Sequence, residues 1–108
     1  MAWIVEIFDE TVREELDALP LDMRAKFQKI VEMIWEFGLS KVGMPYVRHI
    51  QGKLWEMRMK GRDGISRALY VTAVGQRLVV VMVFIKKTQK TPPKEIQVAL
   101  ERAKGIEE

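Results

Sequence analysis

The sequence predicts an α+β fold, with a small antiparallel β-sheet, helices packed on one side of it, and the element order β-α-α-β-β-β-α. Residues 23–37 carry apolar side chains at helical spacing, whereas residues 54–85 divide into three strand-like segments separated by short turns. Short turns between consecutive strands produce an antiparallel meander. With 108 residues, the chain is expected to form one domain over residues 1–108.

The first strand is predicted at Trp3–Phe8, where β-branched and aromatic residues predominate. Asp9 follows as the expected N-cap of a helix over residues 10–19, because its carboxylate can accept hydrogen bonds from the first free N–H groups of that helix. The helix is expected to end before Pro20, since a residue that precedes proline disfavours helical geometry.

A second helix is predicted from an apolar stripe at positions i, i+4, i+7, i+11 and i+14, formed by Met23, Phe27, Ile30, Ile34 and Phe37. Gly38 stands where a glycine commonly ends a helix. Residues 39–53 then mix glycine, proline and polar residues, so they are predicted to form a connecting loop.

The second half of the chain predicts three strands and a final helix. The segment LWEMRMK alternates in polarity, GRDG at residues 61–64 and VGQR at residues 74–77 indicate turns, and LVVVMVFI is apolar on both faces, as in a central strand. Thr91 is the expected N-cap and Pro92 the first residue of a helix over about residues 93–104.

The composition excludes several classes of protein. Apolar residues make up 48% and charged residues 31% of the chain, a balance typical of a folded domain. The absence of cysteine excludes disulfides and thiolate metal sites, and the one histidine leaves no imidazole cluster. No metal, cofactor or membrane partner is therefore expected. Because no signal peptide or membrane span is evident, we expect the protein to be cytoplasmic.

The charge is distributed unevenly along the chain. Residues 1–39 hold four basic and nine acidic residues, a balance of −5, whereas residues 40–108 hold fourteen and six, a balance of +8. Concentration of one sign in one half is typical of a surface that binds a polyanion, although a basic solvated surface is also common.

Basic side chains recur on neighbouring predicted strands. Arg58 and Arg67 lie on consecutive strands, so they are expected to approach each other on one face of the sheet. The last strand leads into a lysine cluster, formed by Lys86, Lys87 and Lys90. Arginine and lysine together suit phosphate. The alternatives are a solubilising loop for the lysines and a cross-strand salt bridge of Arg67 with Glu56 or Asp63.

The motifs that are absent narrow the chemistry. The sequence has no phosphate-binding glycine loop, no serine with an evident histidine base and no acidic cluster for two metal ions. RNA cleavage by its own 2′-OH needs none of these, because the protein only aligns the hydroxyl, moves protons and stabilises charge on the phosphorane. A lysine crowded by other cations has a lowered pKa, which favours proton transfer.

Three segments, LWEMR, GRDGISRALY and FIKKTQKTP, resemble the HigB/RelE-like toxins of bacterial toxin–antitoxin systems, specifically their phage-derived branch. The N-terminal strand and helical pair also fit, so the resemblance extends over nearly the whole chain. It implies a small antiparallel sheet with helices and a ribosome-dependent endoribonuclease that cleaves mRNA in the A site of the 70S ribosome without a metal. It also implies inhibition by a cognate helix-turn-helix antitoxin.

The resemblance assigns roles to individual positions. Arg67 matches the strand arginine that contacts the scissile phosphate, and Lys87 matches a second phosphate-stabilising cation. The candidate catalytic residues are Arg67, Lys87, Arg58, Lys86 and Lys90, with Glu56 as a possible general base. The candidate RNA-binding residues are Lys53, Lys60, Arg62, Tyr70, Gln89 and His49. For Tyr70 and His49, packing in the protein is the competing interpretation.

The sequence departs from the family pattern at two places. Glu56 and Arg58 replace two lysines that many RelE-type enzymes carry, and Pro92 and Pro93 occupy the region of a stacking tyrosine. Two other functions therefore stay open. One is a ParE-like toxin on the same fold that inhibits DNA gyrase, and the other is a non-catalytic remnant that binds an antitoxin or RNA.

Overall fold

The computed structural model describes residues 3–43, 45–86 and 90–106, with only the backbone of Lys86. Its elements, in chain order, are β1 (Ile4–Ile7), α1 (Glu10–Asp17), α2 (Leu21–Phe37), a short 3-10 helix (Leu39–Lys41), β2 (Val47–Gln51), β3 (Leu54–Gly61), β4 (Gly64–Ala73), β5 (Arg77–Lys86) and α3 (Pro93–Ala103). The predicted α+β class is confirmed, and each predicted helix and strand is present.

The sheet has five strands in the order β1-β5-β4-β3-β2 and is mixed rather than antiparallel. The strands β2 to β5 pair antiparallel, but β1 pairs parallel to β5, which differs from the prediction. The strand β2 lies within residues 39–53, for which the sequence predicts a loop. It is short and lies at the sheet edge, where pairing with β3 rather than its own composition stabilises it.

The predicted start of α1 and the predicted end of α2 are correct, but α1 ends at Asp17 rather than at residue 19, and the predicted N-cap of α3 is wrong. The Asp9 side chain accepts a 3.0 Å hydrogen bond from the N–H of Val12, and Gly38, with φ of 85°, follows the last residue of α2. Pro92, rather than Thr91, occupies the N-cap of α3. The Thr91 hydroxyl is thereby available for a partner outside the helix.

The helices cover both faces of the sheet, and the prediction that they pack on one side is wrong. One apolar cluster joins α1 and α2 to alternate residues of the strands, including Met57, Met59 and Tyr70. The other cluster joins α3, through Ala99 and Ala103, to the intervening strand residues. Since side chains alternate along a strand, β3 and β4 supply both clusters. The α3 face is the face that receives the even-numbered residues of β3.

One edge of β5 is only partly covered by β1. That strand pairs with Arg77 to Val80, and beyond this point an ion pair between helices takes its place. Glu15 of α1 accepts a 2.9 Å hydrogen bond from the N–H of Val83, and Arg102 of α3 donates at 3.0 Å to the carbonyl of Val81. The two side chains lie 2.9 Å apart and together close this edge. No helix among the described residues is long and apolar enough to cross a membrane.

Candidate anion-binding site

A buried carboxylate and two arginines lie together on the α3 face, where β3 and β4 run side by side. Arg58 stands directly opposite Arg67 in the antiparallel pairing, so the two arginines of neighbouring strands share one face of the sheet, as expected. Glu56 lies between them, with its oxygens 3.5 Å from Nε of Arg67 and 3.8 Å from Nε of Arg58. The cross-strand salt bridge that was the alternative for Arg67 is therefore present, and it forms part of the site.

The three charged groups differ in exposure. The side chains of Glu56 and Arg67 are 0% exposed, whereas that of Arg58 is 15% exposed. Of the two arginines, Arg58 is therefore the one that an ion from solvent can contact directly. Cross-strand neighbours have Cβ atoms about 5 Å apart, so both positive charges act on the same small region.

Thr91 connects the segment before α3 to this cluster. Its hydroxyl donates a 2.7 Å hydrogen bond to Oε1 of Glu56, and both groups are buried. A buried carboxylate is costly unless it is paired and hydrogen-bonded. Thr91 and Arg67 meet that requirement at Oε1, which both of them contact. Oε2 has no hydrogen bond within the described residues, and Nε of Arg58 lies 3.8 Å from it.

Electrostatics at Arg67 reflect both burial and crowding. Burial lowers the pKa of the Arg67 guanidinium below its ordinary value, the Glu56 carboxylate opposes the shift, and Arg58 and Arg48 add to it. A guanidinium nonetheless stays charged in proteins. Arg67 is thus a positive charge that is held away from water by its neighbours and is suited to act on a nearby anion.

Arg48 belongs to the same face but is not among the site residues predicted from sequence. It stands opposite Glu56 in the pairing of β2 with β3, and it is exposed. Because its segment is predicted to be a loop, sequence reasoning missed the partner strand of Glu56. Polar and apolar residues do not alternate regularly in VRHIQ, so the two β-branched residues, Val47 and Ile50, are the local signal for β2.

Some predicted residues of the lysine cluster lie outside the described part of the chain. Lys87 and Gln89 are among the residues without a described position, and for Lys86 only the backbone is described, paired with Ile65 at the end of β5. Lys90 is exposed and directly precedes Thr91. Roles for these lysines stay predictions from sequence.

The remaining RNA-binding candidates lie apart from the arginine cluster, except Lys60. Tyr70 is buried under α1 and α2 on the opposite face, and its burial raises the pKa of the phenol. A base cannot stack on a ring in that position. His49 lies in the β2–β3 hairpin, with Nε2 at 2.7 Å from the Gly52 carbonyl oxygen and its ring edge against Trp55. Tyr70 therefore has the packing position that was the competing interpretation, whereas His49 is exposed and its RNA-binding role stays a prediction.

Two basic candidates lie at other parts of the surface. Lys53 donates to the carbonyl of Ala103 at 3.3 Å, where a cation suits the end of α3. That end is about 16 Å from the start of the helix, given a rise of about 1.5 Å per residue. Arg62 lies in the β3–β4 turn, and its backbone N–H donates to Asp22 at 2.8 Å. Within the described ranges, no group of three or more potential ligands is placed to hold a metal ion.

The arrangement of strands and helices is similar to that of a solved protein structure. The chain superposes on the E. coli toxin RelE, solved as a double arginine-to-alanine mutant in the free state, with a TM-score of 0.59. The sequence identity is 18%, and the match covers 94% of this chain and 98% of that one. The fold is therefore RelE-like, as the three sequence segments predicted.

A family model identifies the chain more specifically. The model described as "Phage derived protein Gp49-like (DUF891)" matches residues 14–104, which is most of the chain. The protein belongs to this family. No curated protein matches the chain significantly.

Proposed function

We propose that the protein is the toxin of a toxin–antitoxin system and that it cleaves mRNA on the ribosome through attack of the 2′-OH. The observation that carries the proposal is the convergence of Arg48, Arg58 and Arg67 around Glu56 on one face of a RelE-like fold. Family membership and fold support the toxin class. The cleavage reaction is inferred from the charges and from the resemblance of the three sequence segments.

The two central arginines have different roles in this proposal. Arg58 reaches solvent and forks onto the scissile phosphate, while Arg67, buried opposite it on the neighbouring strand, stabilises the developing negative charge. Lys87 is assigned to the same charge by resemblance, and Lys86 or Lys90 to proton transfer. In-line attack needs positioning and charge stabilisation, and these groups supply both.

Glu56 acts in this proposal by positioning rather than by proton transfer. Its carboxylate is fully buried and already contacts Thr91 and Arg67, so it has no exposed oxygen for the 2′-OH. It holds the Arg67 side chain in place and keeps two neighbouring arginines from repelling each other. The alternative role as general base requires that substrate reach this carboxylate.

The test is primer extension on cellular mRNA after induced expression. Wild-type protein is expected to yield transcripts cut within codons and to stop translation. Arg58→Ala and Lys87→Ala are each expected to lower cleavage by a factor of about 10² to 10³, the range for loss of a transition-state donor. Both positions are preferable to Arg67, since removal of a buried charge also lowers the stability of the fold.

A matched control removes an arginine from the opposite side of the molecule. Arg13 is an exposed residue of α1, so Arg13→Ala is expected to leave cleavage unchanged. Arrested growth with intact mRNA would contradict the proposal, and DNA damage with unaffected translation would instead favour gyrase inhibition. Full activity in an Arg58→Ala, Lys87→Ala double variant would refute the assigned site.

The proposal also includes a partner. Toxins of this class are held inactive by a cognate antitoxin, and a helix-turn-helix DNA-binding protein is the expected type. Co-expression of the neighbouring reading frame is expected to restore growth, with the two proteins co-purifying at fixed stoichiometry. Growth that stays arrested although both proteins are produced would contradict the pairing.

A further inference from the structure

A groove of about 340 Å³ begins where the anion-binding site meets the sheet edge. Its lining combines three cations with an aromatic ring and two apolar residues: Lys26, Pro45, Tyr46, Arg58, Lys60 and Ile65. The volume falls at the lower end of the range for small-ligand sites, about 300–1,000 Å³. Arg58 belongs both to the groove and to the arginine cluster. A ligand in the groove therefore lies next to the phosphate that the proposed function places on Arg58.

The groove exists because β2 is shorter than β3. Pairing of these strands begins at Val47 with Met57, and the N–H of Arg58 then donates at 2.8 Å to the carbonyl of Tyr46. Beyond this bond no strand within the described residues covers the edge of β3 at Lys60. The Tyr46 ring packs partly against the core and is half-buried, so its position is fixed beside the opening.

The two lysines approach the groove from different elements. Lys26 projects from α2 and Lys60 from the end of β3. Within the described part of the chain neither forms an ion pair, whereas Arg58 lies beside Glu56 of the buried cluster. Two ammonium groups that line one groove with an aromatic ring suit a ligand that combines a flat apolar part with negative charge.

We propose that this groove binds one nucleotide of single-stranded RNA next to the phosphate held by Arg58. The base lies against the Tyr46 ring, and the flanking phosphates contact Lys26 and Lys60. The inference rests on the proposed function and adds a subsite to it. Single-stranded RNA is recognised in this way by other proteins, through bases stacked on aromatic side chains and backbone phosphates paired with cations.

An acidic protein segment is the other macromolecule that lysines could attract. The fixed ring and the shared Arg58 favour RNA, because they combine a stacking surface with a phosphate site at one opening. The two ligands differ in their dependence on the ring. Stacking requires an aromatic side chain, whereas an acidic peptide held by charge does not distinguish an aromatic from an aliphatic side chain.

The test measures binding rather than cleavage. The probe is a fluorescein-labelled RNA hexanucleotide of mixed sequence, in which every 2′-hydroxyl is methylated to prevent cleavage, titrated at several salt concentrations. Tyr46→Phe is expected to bind as the wild type does, and Tyr46→Leu about tenfold more weakly. Lys26→Glu and Lys60→Glu are each expected to weaken binding and to reduce the salt slope by about 0.7 for each phosphate that the protein no longer neutralises.

A charge-matched control separates this site from general attraction. Lys41 is exposed in the 3-10 helix outside the groove, so Lys41→Glu changes net charge equally and is expected to preserve the salt slope. Melting followed by circular dichroism checks that Tyr46→Leu is folded. If it is not, binding by the lysine variants decides whether the groove holds RNA. Equal affinity in Tyr46→Leu, Lys26→Glu and Lys60→Glu overturns the subsite. Weaker RNA binding in the lysine variants with no dependence on the ring overturns the stacked base, and a glutamate-rich hexapeptide that binds more tightly than the RNA overturns RNA in favour of an acidic segment.

Failure of the subsite and failure of the proposed function give different results. If wild-type protein cuts mRNA and the groove variants bind and cut normally, the cleavage proposal stands and the groove is wrong. If wild-type protein does not cut mRNA, and binding of the oligonucleotide still depends on Tyr46 and Lys26, the groove binds RNA and the cleavage proposal is wrong.

Discussion

The two faces of the sheet use the same strands for opposite purposes. Towards α1 and α2, the strands β3 and β4 present Met57, Met59, Ala68 and Tyr70, which pack in an apolar core. Towards α3, the intervening residues include Leu54 and Leu69, which belong to the other apolar cluster. Nearer the β3–β4 turn they are charged, with Arg58 opposite Arg67. One face therefore derives its stability from packing. The other buries a carboxylate and an arginine that cost stability unless each keeps its partner.

This difference has a functional meaning. A core needs apolar residues of the right volume and tolerates exchange among them. A buried Glu56 and Arg67 contribute little net stability compared with apolar residues, but they fix charge in place beside the more exposed Arg58. The following predictions test whether the two faces respond differently to substitution.

The largest expected effect is on the charged face. Arg67→Ala is expected to lower the free energy of unfolding by about 3–5 kcal/mol, because it leaves Glu56 buried without its arginine. The double variant Glu56→Gln, Arg67→Gln removes both charges and is expected to regain much of that loss. Urea denaturation of the three proteins measures the effect. A double variant as unstable as Arg67→Ala would mean that packing, rather than charge, holds this region.

The apolar face provides the comparison for that experiment. Met57→Ala is expected to cost about 2–5 kcal/mol through lost burial and a residual cavity. It is not expected to respond to Glu56→Gln, since its side chain lies on the opposite face of β3. Strong coupling between the two substitutions would show that the faces are not independent.

Thr91 is expected to have an intermediate effect. Thr91→Val keeps the shape and removes the hydroxyl that donates to Glu56, so it is expected to cost about 1–3 kcal/mol. Thr91→Ser keeps the donor and is the matched control, expected to lie close to the wild type. Thr72→Val serves as a second control, because Thr72 lies on the opposite face of β4. Equal stability of Thr91→Val and the wild type would contradict the role assigned to this hydroxyl.

Gly61 lies where α2 meets the sheet, so a larger residue at this position tests the apolar face by steric crowding. A Cβ at Gly61 would lie 2.7 Å from Oδ2 of Asp22 and 2.8 Å from Cγ of Met23. Gly61→Ala is therefore expected to cost about 1–3 kcal/mol by overpacking. Gly43→Ala is the control, since a Cβ at that position would meet no atom of the described, non-adjacent residues within 4 Å, and its effect is expected within about 0.5 kcal/mol. Thermal melting of both variants decides the comparison.

The smallest expected effect concerns the salt bridge between Glu6 of β1 and Arg77 of β5. Arg77 donates two hydrogen bonds to Glu6, at 2.8 and 2.9 Å, and this lowers the pKa of the Glu6 carboxyl below its ordinary value of 4.5. A depressed pKa in the folded state means that the stabilisation is present above pH 4.5 and is lost as pH falls through the folded value. Both side chains are partly exposed, so salt screens the pair and its contribution is smaller than that of Thr91. Glu6→Gln is expected to remove this pH dependence in unfolding experiments from about pH 3 to about pH 6. An unchanged profile in Glu6→Gln would assign the dependence to another carboxyl.

Local patterns in the sequence predicted much of the fold and the centre of the site. The GRDG turn fixes Gly61 opposite Gly64, and this register places Arg58 opposite Arg67. Four residues of the predicted stripe, from Met23 to Ile34, face the core, whereas the fifth, Phe37, is 57% exposed, contrary to the prediction. In each case, residues near in sequence determine the arrangement.

What could not be predicted depends on residues that are distant in sequence. The Thr91 hydroxyl bonds Glu56 across 35 positions, and cap preferences alone predicted a role within α3. The parallel placement of β1 beside β5 depends on the path of the whole chain. Arg48 and Tyr46 were missed because β2 becomes a strand only through its pairing with β3.

The ion pair of Glu15 and Arg102 has a consequence for behaviour at high concentration. An open strand edge offers unpaired N–H and C=O groups to a second molecule and so promotes aggregation. In this protein the N–H of Val83 and the carbonyl of Val81, on an otherwise very apolar strand, are already bonded by side chains from two helices. Loss of either side chain would leave the interior strand open to a neighbour, and the harm would appear as precipitation during expression before any loss of folding in dilute solution.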